Sequence, residues 1–536
     1  MQVSLLDYGI IAIYFVFVLG IGFALKKQTT SSEEFFLSGR SIPSWITGLA
    51  FISANLGAIE VMGMAANGAQ YGLMTAHMYW IGAIPAMVFL AVFMMPFYYG
   101  SKVRSVPEYL KLRFNEPTRA FNAVSFALMT VLMSGINMYA MALVFQMLLG
   151  WDMNASIIVS AAVVLAYTIL GGLTSSIYNE VLQFFLVLFG LLPLCFIGLA
   201  NIGGWDQLIH QLPAGFGTIW RDTGTANNPM GIDWLGIVSG LGFVLSFGYW
   251  CTDFLVIQRA LAAKDLSAAQ RTPLIAAFPK IFFPAITIVP GMLALALIPQ
   301  LGHSQDPQYS YNMAMPLMLA KYYPSGMLGL GLTAMLASFM SGMAGNITAF
   351  NTVWTYDIYQ NYLARNKSDQ HYLWMGRMAT AGGIVISIGT AYWVMNAPSI
   401  MDYMQMIFSF FNAPLFATFL LGMFWKKTTP WAAFWGLVAG TVGAVVHYFL
   451  TENHTFVYPS MMAANFWRST IAWSICFAIT VILSFFTKAK PESELHGLVY
   501  GVEGEAHAAI QVWYKRPEVL ACVVLTITVV LNFMFW

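Results

Sequence analysis

Charge is scarce in this sequence. Asp, Glu, Lys and Arg make up 9% of its 536 residues, against about 25% in ordinary soluble domains. A soluble fold of this length needs far more charge to cover its surface, whereas helices that face lipid need no polar face. Cysteine is scarce as well. Cys195, Cys251, Cys476 and Cys522 lie far apart, each inside an apolar run, which argues against a disulfide framework and against a metal cluster. Basic tracts are missing and the formal net charge is +1, so nothing points to nucleic acid as a partner. Catalytic signatures are missing too: H-E-x-x-H, G-x-S-x-G, C-x-x-C and G-x-x-x-x-G-K do not occur. The chain therefore reads as a non-enzyme.

What is abundant is apolar surface, at 59% of residues. A helix crosses the hydrocarbon with about 20 apolar residues. About fourteen runs meet that test, near 7–25, 44–68, 77–98, 120–149, 154–170, 176–200, 234–258, 272–298, 325–360, 374–395, 399–424, 430–450, 465–487 and 517–535. The predicted fold is all-α, a polytopic membrane protein whose surroundings are the lipid bilayer. Asp7 precedes the first run and no basic cluster does, so that run reads as a retained span rather than a signal peptide. Cations test the count. With the N-terminus outside, twenty Lys and Arg fall in inner loops, from Lys26 and Lys27 to Lys515 and Arg516. Three, Arg221, Lys321 and Arg468, fall outside, and Lys280 falls within a run. That bias sets both termini outside a cell membrane, plasma or inner.

Ionisable groups inside a span are costly and mark function by default. Glu60, Glu180, Asp253, Lys280 and Asp402 are the candidates. Two runs carry small and polar residues that permit unwinding: Ser53-Ala54-Asn55-Leu56-Gly57-Ala58-Ile59-Glu60 in the second, and Ser246-Phe247-Gly248-Tyr249-Trp250-Cys251-Thr252-Asp253 in the seventh. Broken helices five spans apart fit two inverted repeats, over 44–200 and 234–424, with a solute site between them near mid-membrane. The first run is then peripheral, and 430–536 adds three spans to a single transporter domain.

Several stretches also resemble the sodium/solute symporter family, and its sodium–glucose cotransporter branch in particular. They are Ser105-Val106-Pro107-Glu108-Tyr109 with Arg113-Phe114-Asn115, and Gly171-Gly172-Leu173 through Tyr178-Asn179-Glu180-Val181-Leu182-Gln183. The others are Tyr249-Trp250-Cys251-Thr252-Asp253 with Ile257-Gln258-Arg259 and Ala262-Ala263-Lys264, then Asp357-Ile358-Tyr359 and Phe424-Trp425-Lys426-Lys427.

The resemblance implies inward, sodium-coupled symport of a sugar or polyol by alternating access. It places Asn55, Glu60, Tyr79, Tyr249, Trp250, Lys280 and Gln405 at the sugar, with Tyr249 as the stacking aromatic. Glu60 stands where relatives have Gln or His, and Tyr79 where sugar carriers usually have Glu. A sugar has many hydroxyls and one flat apolar face, so amides, charges and an aromatic suit it. Lys280 and Glu60 are expected to pair, each lowering the other's burial cost.

For the coupling ion, Na+, the resemblance implies carbonyls of Ser53, Leu56 and Ser338 with the Ser341 hydroxyl. Gly342 stands where a second hydroxyl is usual, so Gly342→Ser is expected to tighten sodium binding. Ala344 and Gly345 occupy the places of a second ion's ligands, which implies at most one sodium. Glu180 stands where the family has an Asp near the ion path. Three alternatives stay open: coupling to protons through a Glu180 buried away from cations, another polar solute, and a sugar sensor that does not transport.

Overall fold

A computed structural model describes residues 3–25, 31–304, 306–395, 399–502, 504 and 512–536. Lys26 and Lys27 lie outside the described residues. The long helices are α1 (Leu5–Leu25), α2 (Ser44–Asn55), α3 (Ile59–Ala76), α4 (Met78–Gly100), α5 (Glu116–Leu149), α6 (Met153–Ile202), α7 (Trp234–Thr252) and α8 (Leu266–Ile281). They continue with α9 (Phe283–Leu297), α10 (Met327–Leu363), α11 (Asp369–Val394), α12 (Ile400–Phe424), α13 (Pro430–Glu452), α14 (Met461–Phe486) and α15 (Pro517–Met534). Among the described residues the only extended pairing is one bridge between Ile42 and Ala263.

Ten helices among the described residues are long and apolar enough to cross a membrane, and joining the two bent pairs α2–α3 and α8–α9 gives twelve. Two further expected spans fall short of that test. Met153–Ala166 is brief, and α11 is long but less apolar. The expected spans at 154–170 and 176–200 run together as α6, kinked at Gly172 (φ 55°, ψ −146°). Only glycine takes that backbone comfortably, and a Cβ there would come within 2.6 Å of Phe35.

The break between α2 and α3 bends the chain by 59°. Leu56 (φ −74°, ψ 45°) leaves the helix, and Gly57 N–H donates back to the Asn55 carbonyl at 2.8 Å, the local turn of a γ-type bend. Carbonyls freed by such a break need new donors. Ser341 Oγ donates to Ser53 O and Ser338 Oγ to Leu56 O, each at 2.7 Å.

The second predicted break occurs at Asp253, the last residue of the Ser246–Asp253 stretch. The Ser246–Thr252 stretch stays helical. Its glycine serves packing: a Cβ on Gly248 would lie 2.8 Å from the Asn412 carbonyl oxygen. The chain leaves the helix only at Asp253 (φ −76°, ψ 119°), whose Oδ1 accepts from Leu255 N–H at 2.9 Å and caps Phe254–Leu261. A further bend, of 49° and not anticipated from the sequence, falls between α8 and α9. Pro284 has no N–H to give the Lys280 carbonyl. The Ile281 carbonyl is taken by the indole N–H of Trp80, at 2.9 Å.

The family-like stretches at 105–109 and 113–115, and Arg119 just beyond them, meet other chain segments at the ends of α10 and α12. Arg113, fully buried, donates to the carbonyls of Gly422 (2.6 Å), Trp425 (3.1 Å) and Thr428 (3.3 Å), satisfying orphan acceptors at the end of α12. Arg119 pairs with Asp357 at 3.4 Å. At the opposite end, Asp7 of α1 accepts from Gly326 and Gly329 N–H, both at 2.7 Å. Those donors open α10, where the helix dipole favours an anion.

Candidate functional site

A partly open cavity of about 800 Å³ lies where α2, α3, α4, α5, α7, α8, α10 and α12 converge. All seven residues the sequence reading assigned to the solute line it: Asn55, Glu60, Tyr79, Tyr249, Trp250, Lys280 and Gln405. Three of the elements that present polar groups are π-wound there, at Ile59–Gly63, Met78–Ala83 and Ile237–Ser246. An extra residue per turn re-aims side chains, and such turns gather at functional sites.

The cavity's polar groups form a chain. Lys280 Nζ donates to Glu60 Oε1 and, at 2.5 Å, to Asn55 Oδ1. Asn55 Nδ2 donates to Tyr249 Oη at 3.2 Å. Lys280 is 1% exposed and Glu60 7%, so neither charge can rely on bulk water. Besides its hydrogen bonds, the ammonium lies 4.6 Å from the ring centroid of Tyr79, 5.0 Å from that of Phe283 and 5.4 Å from that of Trp250. Such a cage holds a desolvated cation through the ring quadrupoles. Tyr79 therefore contributes its face, because its hydroxyl is engaged with Thr287 Oγ1 at 3.1 Å.

The aromatic wall is ordered in the same way. Tyr249 stacks on Phe408 at 5.0 Å and 27°, and meets Trp250 edge-on at 5.0 Å. Trp250 in turn stacks on Phe51 at 5.7 Å. Among the described residues Gln405 makes one weak polar contact, Nε2 to the Met401 sulfur at 3.9 Å, which leaves its amide available to a ligand. Four other polar liners, Asn137, Ser246, Asp253 and Asn346, were not assigned to the solute. Asn137 and Asn346 are amides inside long apolar helices, a signal present in the sequence but weaker than that of the ionisable groups.

The four residues assigned to the coupling ion also come together, beside the cavity where the broken end of α2 meets α10. Ser53, Leu56, Ser338 and Ser341 are each at most 1% exposed. Ser53 Oγ and Ser341 Oγ are 2.9 Å apart. One detail differs: Ser338 meets Leu56 through its hydroxyl, while its carbonyl lies inside α10. No cluster of three His, Cys, Asp or Glu side chains suited to a metal occurs among the described residues. A cation here would be held by neutral oxygens.

Glu180 does not line the cavity. It is fully buried, and Arg259 grips both its oxygens, Nη2 to Oε1 at 2.5 Å and Nε to Oε2 at 3.2 Å. Ser176 Oγ donates to it at 2.7 Å, and Arg259 also reaches Thr348 of α10 at 3.2 Å. Proton coupling through Glu180 required a carboxyl buried away from cations. The guanidinium beside it removes that premise, and Glu180 reads as one half of a brace between α6 and the segment that follows α7.

The model of the sodium:solute symporter family matches residues 35–440, which span the whole cavity and the ion pocket. The chain belongs to the sodium:solute symporter family. Sodium-coupled solute symport is its activity, Na+ its coupling ion, and it is a multi-pass membrane protein.

Among individual members, the chain is 30% identical to sodium/glucose cotransporter 4 of Danio rerio, over 92% of this chain and 80% of the relative. It is 28% identical to the sodium/glucose cotransporter of Vibrio parahaemolyticus, over 88% and 90%. It is also 28% identical to human sodium/myo-inositol cotransporter 2, over 84% and 71%. A Na+-coupled sialic acid symporter solved in a substrate-bound outward-open state superposes with a TM-score of 0.78 at 19% identity, covering 91% of this chain and 99% of that one. At that identity the likeness is one of fold.

Proposed function

We propose that this symporter carries a neutral sugar or related polyol inward, one sodium per solute, by alternating access between two inverted repeats in a protein of fourteen spans. The observation that carries this reading is the cavity itself. An aromatic pair, Tyr249 stacked on Phe408, shares the lining with hydroxyl-binding groups, Glu60, Asn55 and Gln405. The named sugar and inositol cotransporters similar to this chain support it. The solute site comprises Asn55, Glu60, Tyr79, Tyr249, Trp250, Lys280 and Gln405. Ser53, Leu56, Ser338 and Ser341 hold the ion. The twenty-to-three cation bias supports termini on the outside of a cell membrane, and the absence of catalytic signatures supports a carrier without enzymatic activity.

Coupling is energetically sufficient. One cation crossing about 100 mV supplies about 2.3 kcal/mol, and a tenfold ion gradient adds about 1.4 kcal/mol. Together these support accumulation of roughly several hundredfold at one ion per solute.

The test is uptake of a panel of labelled sugars and inositols into reconstituted vesicles, with sodium or choline outside at fixed pH. Sodium-dependent accumulation of a sugar or polyol is expected. Binding without counterflow indicates a sensor, and uptake that follows a pH gradient without sodium indicates proton coupling. Either result overturns the reading. In the same assay, Tyr249→Ala and Gln405→Ala are each expected to weaken apparent affinity by about 5- to 150-fold, the equivalent of about 1–3 kcal/mol for a lost buried contact, while protein still reaches the membrane. Near-normal uptake in both variants removes these residues from the site.

A further inference from the structure

A second cavity, with about 1320 Å³ of empty space, lies between α11, α12, α13 and α14. It shares no lining residue with the solute cavity. The two occupy opposite faces of α12: Gln405 and Phe408 face the solute cavity, Tyr403 and Met406 this one. At its floor is Arg468, in the second turn of α14 and 2% exposed.

Arg468 is a buried cation with no ion pair among the described residues. Its Nη1 donates to Asn465 Oδ1 at 2.6 Å, and Asn465 Nδ2 donates to the Asp402 carbonyl at 2.8 Å. Its Nε is buried and has no acceptor among the described residues. No described carboxylate forms an ion pair with it. Glu452 lines the rim but is exposed to solvent. The rings of Tyr448 and Phe410, at 5.2 and 5.7 Å, give the guanidinium partial support. A second buried donor, Tyr403 Oη, also lacks a partner among the described residues. Other buried cations are compensated more fully: Lys280 meets Glu60, Arg259 meets Glu180, and Arg113 donates to three carbonyls. A charge in this position calls for an anion from outside the chain.

The mouth of the cavity indicates what carries that anion. Trp393, Phe456 and Met461 line it and are 60%, 45% and 46% exposed. A free inorganic anion would gain nothing from that apolar rim. A molecule with an apolar chain would cover it. Arg is the side chain best suited to phosphate oxygens, through parallel N–H donors. Its place near the end of a membrane-spanning helix matches the depth of lipid headgroups.

We propose that this cavity binds an anionic phospholipid. Its phosphate oxygens take the open guanidinium donors of Arg468 and the hydroxyl of Tyr403, and its chain lies along Trp393, Phe456 and Met461.

The test compares the full-length protein in nanodiscs of phosphatidylglycerol and of phosphatidylcholine. Native mass spectrometry reads retained lipid, and thermal melting reads the stabilisation. Phosphatidylglycerol is expected to be retained about tenfold or more over phosphatidylcholine, the scale of a charge-assisted hydrogen bond. That preference is expected to vanish in Arg468→Gln and to fall in Tyr403→Phe. Tyr403→Phe keeps the ring and the fold, so it decides the matter if Arg468→Gln does not assemble. Equal retention of the two lipids in the parent protein overturns the proposal, as does an unchanged preference in Tyr403→Phe where Arg468→Gln fails or retains it. Soluble glycerol phosphate serves as a third arm. If it displaces phosphatidylglycerol at comparable concentration, the site reads a free phosphate and the lipid assignment is wrong.

Discussion

Lys280→Met is expected to abolish solute uptake, although methionine matches most of the lysine's bulk. The ammonium is held by Glu60 and Asn55 and caged by Tyr79, Phe283 and Trp250. Methionine keeps the packing and removes the charge. Glu60 then stands 7% exposed with no cation beside it. Breaking a buried pair by deleting one partner costs about 3–5 kcal/mol, more than a single hydrogen bond to the solute returns. Asn55 also loses its donor, so the link from Glu60 through Asn55 to the Tyr249 hydroxyl is cut. A companion variant separates charge from fold. Lys280→Met combined with Glu60→Gln removes both charges and leaves an amide of nearly the glutamate's shape. The double variant is expected to regain thermal stability lost in Lys280→Met and to bind solute more weakly than the parent. The measurement is a double-mutant cycle on melting temperature and on uptake. If Lys280→Met alone transports like the parent, the lysine only fills space.

What could be read from the chain followed from cost. Glu60 and Lys280 stood out because an ionisable group in an apolar run demands a reason, and the pair does face the cavity. The break after Asn55 was legible from Asn55-Leu56-Gly57, where small and polar residues interrupt the run. The second predicted break occurs at Asp253, at the end of its stretch, while the glycine inside the stretch does not break the helix. Gly248 looked like a helix breaker but is a close-packing residue against Asn412. The bend after Ile281 is a separate feature, and Pro279 and Pro284 on either side of it were its signal, since each proline lacks an N–H to donate.

Other features could not be read from one strand of sequence. Arg259 counted as an inner-loop cation, yet it is fully buried against Glu180. Burial of that kind depends on which helices become neighbours. Asn137 and Asn346 are less conspicuous in the sequence because a neutral amide in a span is less costly than a charge.

The ion pocket is where sequence and geometry disagree about a single substitution. On composition, Gly342→Ser restores a missing hydroxyl and tightens sodium. The geometry leads to the opposite expectation. A Cβ on Gly342 would lie 2.6 Å from the Cα of Gly57 and 3.1 Å from Asn137 Oδ1. The first contact is with backbone, at the turn that frees the carbonyls of Ser53 and Leu56, so it cannot be relieved by turning a side chain. Serine at 342 therefore pushes the broken end of α2 away from α10 and spreads the oxygens an ion needs. Overpacking of this sort costs about 1–3 kcal/mol, occasionally more, so sodium affinity is expected to fall by about tenfold or more.

Ser341→Ala tests the same pocket by subtraction. Its hydroxyl is the donor to the Ser53 carbonyl, at 2.7 Å. When a cation arrives, that oxygen can turn its lone pairs inward and release the carbonyl to do likewise. Alanine cannot, so sodium stimulation of uptake is expected to disappear while the protein still reaches the membrane. Both variants are read from uptake against sodium concentration, with choline as replacement at fixed pH. A lower half-saturating sodium concentration in Gly342→Ser would show that α2 yields at Gly57. Unaltered sodium dependence in Ser341→Ala would move the ion away from this pair of helices.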